Sequence, residues 1–404
     1  MPWKETCPML EREAFVEQAR SGELTVAELC RAFGISRKTG YKWLGRHQEQ
    51  GLVGLADRSR ARHTQEHAVS DGVRLLILDA RSRHPTWGAK KIVPYLARRH
   101  PRVEYWPAFS TVGEILRRHE LTRPRRERPA MPHVAMPCLV ADKPNDVWTM
   151  DFKGHFRTLD GRECHPLTVA DAFSRRLIDV RAMPRPRGDL TKKACERAFR
   201  TFGLPAVIRT DNGEPFAGSG LGRLSRLSVW WMKQGVRVDR ITPGKPQQNG
   251  RHERMHGVLK QETTLPPALS LRRQQQRFDR FIPEYNDERP HEALGGRVPS
   301  ELWRPSTRAY NEHPAGPEYP AHWEKRVVKK TGLMKWRGGE VYVSEPLAHE
   351  TIGLEEIDDG LWRLDYYTTP LALLDERRNQ PTLYAIRPRG PRSIRSKVSP
   401  MCPV

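Results

Sequence analysis

The chain has 404 residues, enough for two to four domains and at least one sizeable core. Its 70 Lys and Arg against 48 Asp and Glu leave a formal net charge of +22. That excess favours a polyanionic partner, nucleic acid first, and no run approaches the ~18 apolar residues of a membrane span. The opening stretch, MPWKETCPMLEREAF, has no continuous apolar region, so no secretory signal is expected. Six scattered cysteines without a CxxC pair suit reduced thiols better than a disulfide framework or a zinc finger. His63 and His67, with no cysteine pair nearby, read as surface histidines.

In chain order, ELTVAELCRAFGISRKTGYKWLGRH comes first. Thr25 is the expected N-cap of a helix whose Val26, Leu29, Cys30 and Phe33 recur at helical spacing. Gly34 breaks it, and Ser36 caps a second helix carrying Arg37, Lys38, Thr39, Tyr41 and Lys42, with Trp43 and Leu44 turned inward. Helix, glycine turn and basic helix form the helix-turn-helix pattern, and those five residues are the candidate DNA contacts. The expected domain is 1–60. A second helical, helix-turn-helix-like domain is expected at 61–121, with helices in WGAKKIVPYLARRHP and in FSTVGEILRRHEL, the latter capped near Ser110. Residues 122–146 are rich in proline and arginine and read as a linker, with Arg123, Arg125 and Arg126 suited to DNA phosphates.

Residues 147–310 alternate strand and helix patterns. VWTMDF, HPLTVADAF, RRLIDVRAM, AVIRTD and VRVDRI read as strands. LTKKACERAFRTFG, LSRLSVWWMKQG, GRHERMHGVLKQE and LRRQQQRFDRFIPEYN read as helices around one mixed sheet. Closely spaced short strands at 320–380, with a hairpin signal at Asp359-Gly360, suggest a small β-barrel. A basic, mobile tail is expected at 381–404.

Three acids stand out in the central region. Asp151 lies in the first strand, Asp211 ends the fourth, and Glu253 lies one turn into a helix. Carboxylates this far apart in sequence can meet only through the fold. Three of them can hold two hard divalent ions, which suits in-line displacement at a phosphodiester. Among rival acids, Asp171 reads as a turn or cap residue before Ser174. Asp146, Asp160, Asp179, Asp239 and Glu214 read as loop or solvated acids. Glu262 faces away from Glu253 on its helix, whereas His252 and His256 read as helix-surface residues. Trp148 and Phe152 read as core.

WTMDFKG, RTDNGEPF and PGKPQQNGRHERMHGVLK together resemble the three catalytic blocks of DDE insertion-sequence transposases of the integrase branch, whose core is RNase H-like. FGISRKTGYKW, WGAKKI and YNDERPHEALGGRVPSELW resemble flanking segments of the same group. The resemblance implies that Asp151, Asp211 and Glu253 are the catalytic, metal-binding triad, serving Mg²⁺ (two ions, with Mn²⁺ as a substitute). It implies DNA contacts from Lys260, and Asn249 and Arg251 lie in the block it covers. The spacing from Asp211 to Glu253 is longer than in many relatives, and the region 216–230 is expected to hold the extra residues. The loop at 243–250 is expected to let the third acid settle when DNA and metal arrive.

The implied function is a transposase that binds element ends, cleaves them and joins the 3′-OH ends to target DNA. Its partners would be double-stranded DNA, as terminal inverted repeats and target, and further copies of itself in a dimer or higher oligomer, with no membrane. The expected location is cytoplasmic, at the nucleoid of a prokaryotic host. The alternatives are a catalytically silent helix-turn-helix regulator derived from a transposase, and an RNase H-like nuclease that only hydrolyses.

Overall fold

The computed structural model describes residues 7–58, 69–122, 140–152, 154–218, 220–241, 250–377 and 381–385. The chain divides into two compact units, 1–69 and 70–404.

The first unit packs α1 (Pro8–Ser21), α2 (Val26–Ala32) and α3 (Arg37–Gln50). Thr25 and Glu28 form a reciprocal capping box at α2, and the Ser36 hydroxyl accepts the Thr39 N–H at 3.2 Å to start α3. Between them Gly34 takes a φ of 63°, the left-handed turn that glycine adopts without strain. Phe15, Val16, Leu29, Cys30, Trp43 and Leu55 form the core. At Gly40 a Cβ would lie 2.5 Å from Cys30 Sγ, so α2 and α3 cross closely only because this residue is glycine.

The second unit opens with α4 (Asp71–Arg83), α5 (Ala89–Arg99) and α6 (Phe109–Arg118) around Ile77, Trp87, Ile92, Leu96, Val112 and Leu116. The N-cap of α6 is Ala108, without a side-chain cap, rather than the expected Ser110. These helices dock on the central layer. His84 Nδ1 lies 2.8 Å from Glu284, Arg98 meets Glu301 at 3.0 Å, and the Arg289 guanidinium lies over Trp87.

The central layer contains β1 (Val147–Phe152), β2 (Phe156–Arg157), β3 (Glu163–Asp171), β4 (Leu177–Met183), β5 (Val207–Thr210) and β6 (Arg237–Arg240). β3 pairs antiparallel with both β1 and β4, while β1, β5 and β6 run parallel. The short β2, against the start of β3, has no counterpart in the sequence pattern. One face of this mixed sheet carries α7 (Gly188–Phe202) and α8 (Arg226–Lys233), joined to it through Trp148, Met150, Ile208, Phe199 and Trp231. The other carries α9 (Gly250–Thr263) and α10 (Leu271–Pro283), through Ala170, Val180, Met255, Leu259 and Phe278. A short α11 (Pro299–Leu302) follows.

The C-terminal strands do not close into the expected barrel. β7 (Glu324–Val327), β10 (Thr351–Asp358), β11 (Leu361–Tyr366), β12 (Thr369–Asp375) and β13 (Thr382–Ala385) form an open antiparallel sheet in the order β13-β12-β11-β10-β7. β8 (Leu333–Trp336) and β9 (Gly339–Tyr342) form a separate hairpin. Among the described residues β7 and β13 do not pair, so hydrogen bonding leaves two edges. Packing covers the sheet instead: Trp336 and Val341 of the hairpin and Val229 and Met232 of α8 share its core. The presence of β13 also corrects the start of the expected mobile tail. No described helix is long and apolar enough to cross a membrane.

Candidate active site at the carboxyl edge of the sheet

Strand register brings two of the predicted acids level. β1 pairs with β5 as Val147 with Val207, Trp148 with Ile208 and Thr149 with Arg209. The same offset, carried two residues on, sets Asp151 beside Asp211 at the carboxyl ends of neighbouring parallel strands. Trp148 faces the layer of α7 and α8, so the pleat turns Thr149 and Asp151 to the α9 face. The Thr149 hydroxyl, 2.8 Å from His252 Nδ1 on α9, agrees with that direction.

Asp211 stands just past β5 in a turn its own side chain shapes. Its Oδ1 accepts the Gly213 N–H at 3.2 Å, a local closure typical of an aspartate before a reversal. The Asn212 amide donates to the Ile241 carbonyl at 2.7 Å, tying the turn to the end of β6. A Cβ on Gly213 would lie 3.1 Å from Asp211 Oδ2. Glycine therefore leaves the carboxylate open on that side.

Glu253 is exposed on the first turn of α9, beside the buried His252. The expected surface role of the histidines is corrected here, for His252 and His256 are only 3% and 7% exposed. His252 Nε2 and His256 Nε2 lie 2.6 and 2.7 Å from the Thr168 hydroxyl, which donates to the Asp151 carbonyl at 3.1 Å. A hydroxyl has one proton and two acceptor sites, so both imidazoles donate to Thr168 through Nε2. His252 Nδ1 accepts from Thr149 when that hydroxyl turns its single proton away from the Ala170 carbonyl, 3.2 Å distant, and toward the ring. That pattern needs a neutral imidazole, and burial pushes the His252 pKa down to about 3. Ligand atoms of Asp151, His252 and His256 lie within 4.8 Å of one another, close enough for a metal ion. Both nitrogens of His252 are already engaged by threonines, so hydrogen bonding accounts for this histidine without an ion. A signal for burial was present in the sequence, because His252, Met255, His256 and Leu259 recur at the spacing of one helix face.

The rival acids sort by their partners. Asp171 is the turn residue expected, its Oδ2 accepting from Ser174 N and Oγ at 2.8 and 2.6 Å. Asp146 accepts the Lys143 N–H and Asp160 the Thr158 hydroxyl. Asp179 is not solvated; it is buried against Arg181 at 2.9 Å and Arg197 at 2.6 Å. Asp239 pairs with Arg209 at 2.7 Å. Glu262 accepts from Arg289 and Thr86, toward the docked helices and away from Glu253.

Of the candidate DNA contacts, Arg37, Lys38, Tyr41 and Lys42 are exposed on α3, whereas Thr39 is half-buried with its hydroxyl 2.9 Å from Ser36 Oγ. Arg251 and Lys260 are exposed on α9. Arg123, Arg125, Arg126, Asn249, His63, His67 and the loop before α9 lie outside the described residues.

Known families match the same regions. Two models described as integrase core domain match residues 141–246 and 234–299. A helix-turn-helix domain model matches 11–63 and a homeodomain-like model 39–116. An uncharacterized protein of insertion element IS407 from Burkholderia multivorans is 30% identical over 187 residues, 45% of this chain and 63% of that relative. This chain thus spans less than two thirds of that relative's length. An uncharacterized protein of insertion element IS476 from Xanthomonas euvesicatoria is 25% identical over 335 residues, 80% of this chain and 84% of the relative. Among solved structures, the magnesium complex of the HTLV-2 integrase catalytic core domain, trimeric form, covers 40% of this chain and 99% of its own at 18% identity and a TM-score of 0.33. The simian T-cell lymphotropic virus intasome with PP2A regulatory subunit B56 gamma covers 73% and 100% at 16% identity and a TM-score of 0.37. At such scores neither structure bears on what this chain does.

The integrase-core matches run across Asp151, Asp211 and α9, so the central layer is an integrase core. With the helix-turn-helix matches before it and the insertion-element relatives along it, the chain is similar to the integrase-like transposases of insertion sequences.

Proposed function

We propose that the protein binds the ends of its element, cleaves them and joins the freed 3′-OH ends to target DNA, with Asp151, Asp211 and Glu253 as the catalytic carboxylates. The observation that carries this reading is the level placement of Asp151 and Asp211 at the carboxyl ends of two parallel strands, on the face that α9 covers. The donor set is three oxygen carboxylates, and Gly213 leaves room beside Asp211, which suits hard divalent cations. Bound among these oxygens, two Mg²⁺ ions, or Mn²⁺, would polarise the attacking and leaving oxygens of the phosphodiester.

The chain's own residues orient that chemistry. The Gly213 N–H holds one Asp211 oxygen, and the threonine–histidine bonds hold α9, and so Glu253, against β1 and β3. Arg251 and Lys260 contact the DNA backbone from α9, and the α3 surface with Arg37, Lys38, Tyr41 and Lys42 reads the element end, oriented by the capped start at Thr39. In cleavage, a water oxygen forms a bond to phosphorus and the 3′ oxygen leaves as a hydroxyl. In joining, that 3′-OH attacks a target phosphodiester, so one P–O bond forms as one breaks. Joining two ends requires a dimer or larger assembly on DNA. The bacterial origin of both relatives supports a cytoplasmic, nucleoid-associated location.

The test is strand transfer with Mg²⁺ on oligonucleotides carrying the inverted repeats that flank the gene. Wild type should give joined product and Asp211→Ala none. Equal behaviour of the two would refute the enzyme reading, and cleavage without joining under every metal would leave a hydrolytic nuclease.

A further inference from the structure

A cavity of about 490 Å³ lies outside the carboxylate cluster, between the turn after β3 and the loop before α11, with Phe173, Arg175, Leu294, Gly295 and Arg297 among its walls. We infer that this cavity holds a backbone phosphate of the DNA strand that lies along α9. The inference rests on the transposase reading for the identity of the strand, but its physical basis is separate.

Arg175 is held in an unusual position. Its φ of 67° is in the left-handed region, disfavoured for an arginine. The turn that imposes it is fixed by Asp171, whose carboxylate is committed to Ser174 and the Asn145 N–H and whose carbonyl accepts the Arg175 N–H at 3.0 Å. The Arg175 Nε is buried without a hydrogen-bond partner. Its neighbour Arg176 differs, with Ser300 at 2.5 Å, Asp287 at 3.9 Å and the Trp303 ring beneath its guanidinium. The Arg176 Nε is also buried without a partner, but its guanidinium is held by these neighbours, whereas among the described residues the Arg175 side chain has no hydrogen-bond or ion-pair partner.

Like charges gather around it. Burial, with Arg251 and Arg254 close enough to repel it, lowers the Arg175 pKa to about 10, so it stays charged at neutral pH. Arg297 shares the cavity wall. Among the described residues none of these four arginines has an acid partner. Arg254 and Arg297 donate only to the carbonyls of Gly250 and Leu294. The nearby acids are committed elsewhere, Asp171 to its turn and Glu292 to Lys90 at 3.1 Å. Asp171 attracts Arg175 from within its own turn without pairing to it, and a half-buried cation so incompletely compensated is costly; an arriving anion removes that cost. A phosphodiester fits, because its two free oxygens match the guanidinium fork. The apolar walls at Phe173 and Leu294 suit the adjoining sugar. Arg251 and Arg254 flank Glu253 on α9, so a strand seated here passes the turn that carries the third carboxylate.

The full-length protein is titrated with an element-end duplex by fluorescence anisotropy in EDTA, over a range of salt. Removing one cation that neutralises a phosphate lowers the slope of log K against log salt by about 0.9. Arg175→Ala and Arg297→Ala should each lower it by about that amount. The double variant should fall no further, since both arginines hold one phosphate. Arg297 is exposed, so its variant keeps the test valid should Arg175→Ala fail to fold. An unchanged slope in folded Arg297→Ala overturns the inference, as does a further full step in the double variant. Strand transfer by wild type is measured in parallel. A lowered slope with no joining by wild type sinks the enzyme reading and leaves the phosphate site standing; joining with an unchanged slope does the reverse.

Discussion

At neutral pH the His291 imidazole is uncharged, because burial, reinforced by Arg289, pushes its pKa down to about 4. Its Nε2 is buried without a partner and the ring meets Tyr285 edge-on at 4.8 Å. An unfolded histidine takes up its proton near pH 6.5, as does the unfolded form of His252, whose folded pKa is about 3. Between those values and 6.5 the unfolded chain binds more protons than the folded one. The stability these groups contribute is therefore whole above pH 6.5 and falls as the pH drops toward 4, by about 1.4 kcal/mol per unit for each. In urea titrations from pH 7 to pH 5, His291→Gln should lose about 2 kcal/mol less than wild type. Equal losses would mean that His291 is not held neutral. The same scale shows where single-residue readings succeed and fail. Asp171 was legible as a turn acid, since its partner Ser174 is three residues away. Asp179 was not, since Arg197 reaches it from another element.

Among elements, α9 matters most because it carries Glu253 and is fixed by polar contacts as well as apolar ones. Thr149 on β1 and Thr168 on β3 meet His252, and Thr168 also meets His256. Leucine in place of His252 would leave two threonine hydroxyls without that partner in a buried site, at a cost of about 2–3 kcal/mol. We expect His252→Leu to lower the urea midpoint and to raise the Mg²⁺ concentration needed for half-maximal strand transfer. A lowered midpoint with unchanged Mg²⁺ dependence would confine His252 to stability. The spans of α2, α3 and α5 to α10, and of all strands but β2 and β13, were legible, because caps and periodicity are local signals; α1, α4 and the short α11 were not read from the sequence. Barrel closure was not legible. It depends on whether β7 meets β13, and the pattern within each strand carries no record of that pairing.

On the scale of the whole molecule, residues 70–404 form one unit in which each core is built from within. The docked helices reach it through His84, Arg98 and Arg289, and the C-terminal sheet through Val229 and Met232 of α8. A fragment of residues 70–404 should therefore melt cooperatively by circular dichroism while binding the element end more weakly than the full chain. A fragment that aggregates, or shows no cooperative transition, would contradict the division. The sequence by itself determined the basic charge, the helix-turn-helix pattern, the order of the three acids and the resemblance to insertion-sequence transposases, since each resides in a short block or in composition. Only the tertiary structure decided that Asp151 stands level with Asp211, that the α9 histidines point inward, that four arginines gather without an acid paired to them among the described residues and that the last sheet stays open. Those features arise from pairings between distant segments, and local propensity cannot encode which distant segment a strand edge or helix face will meet.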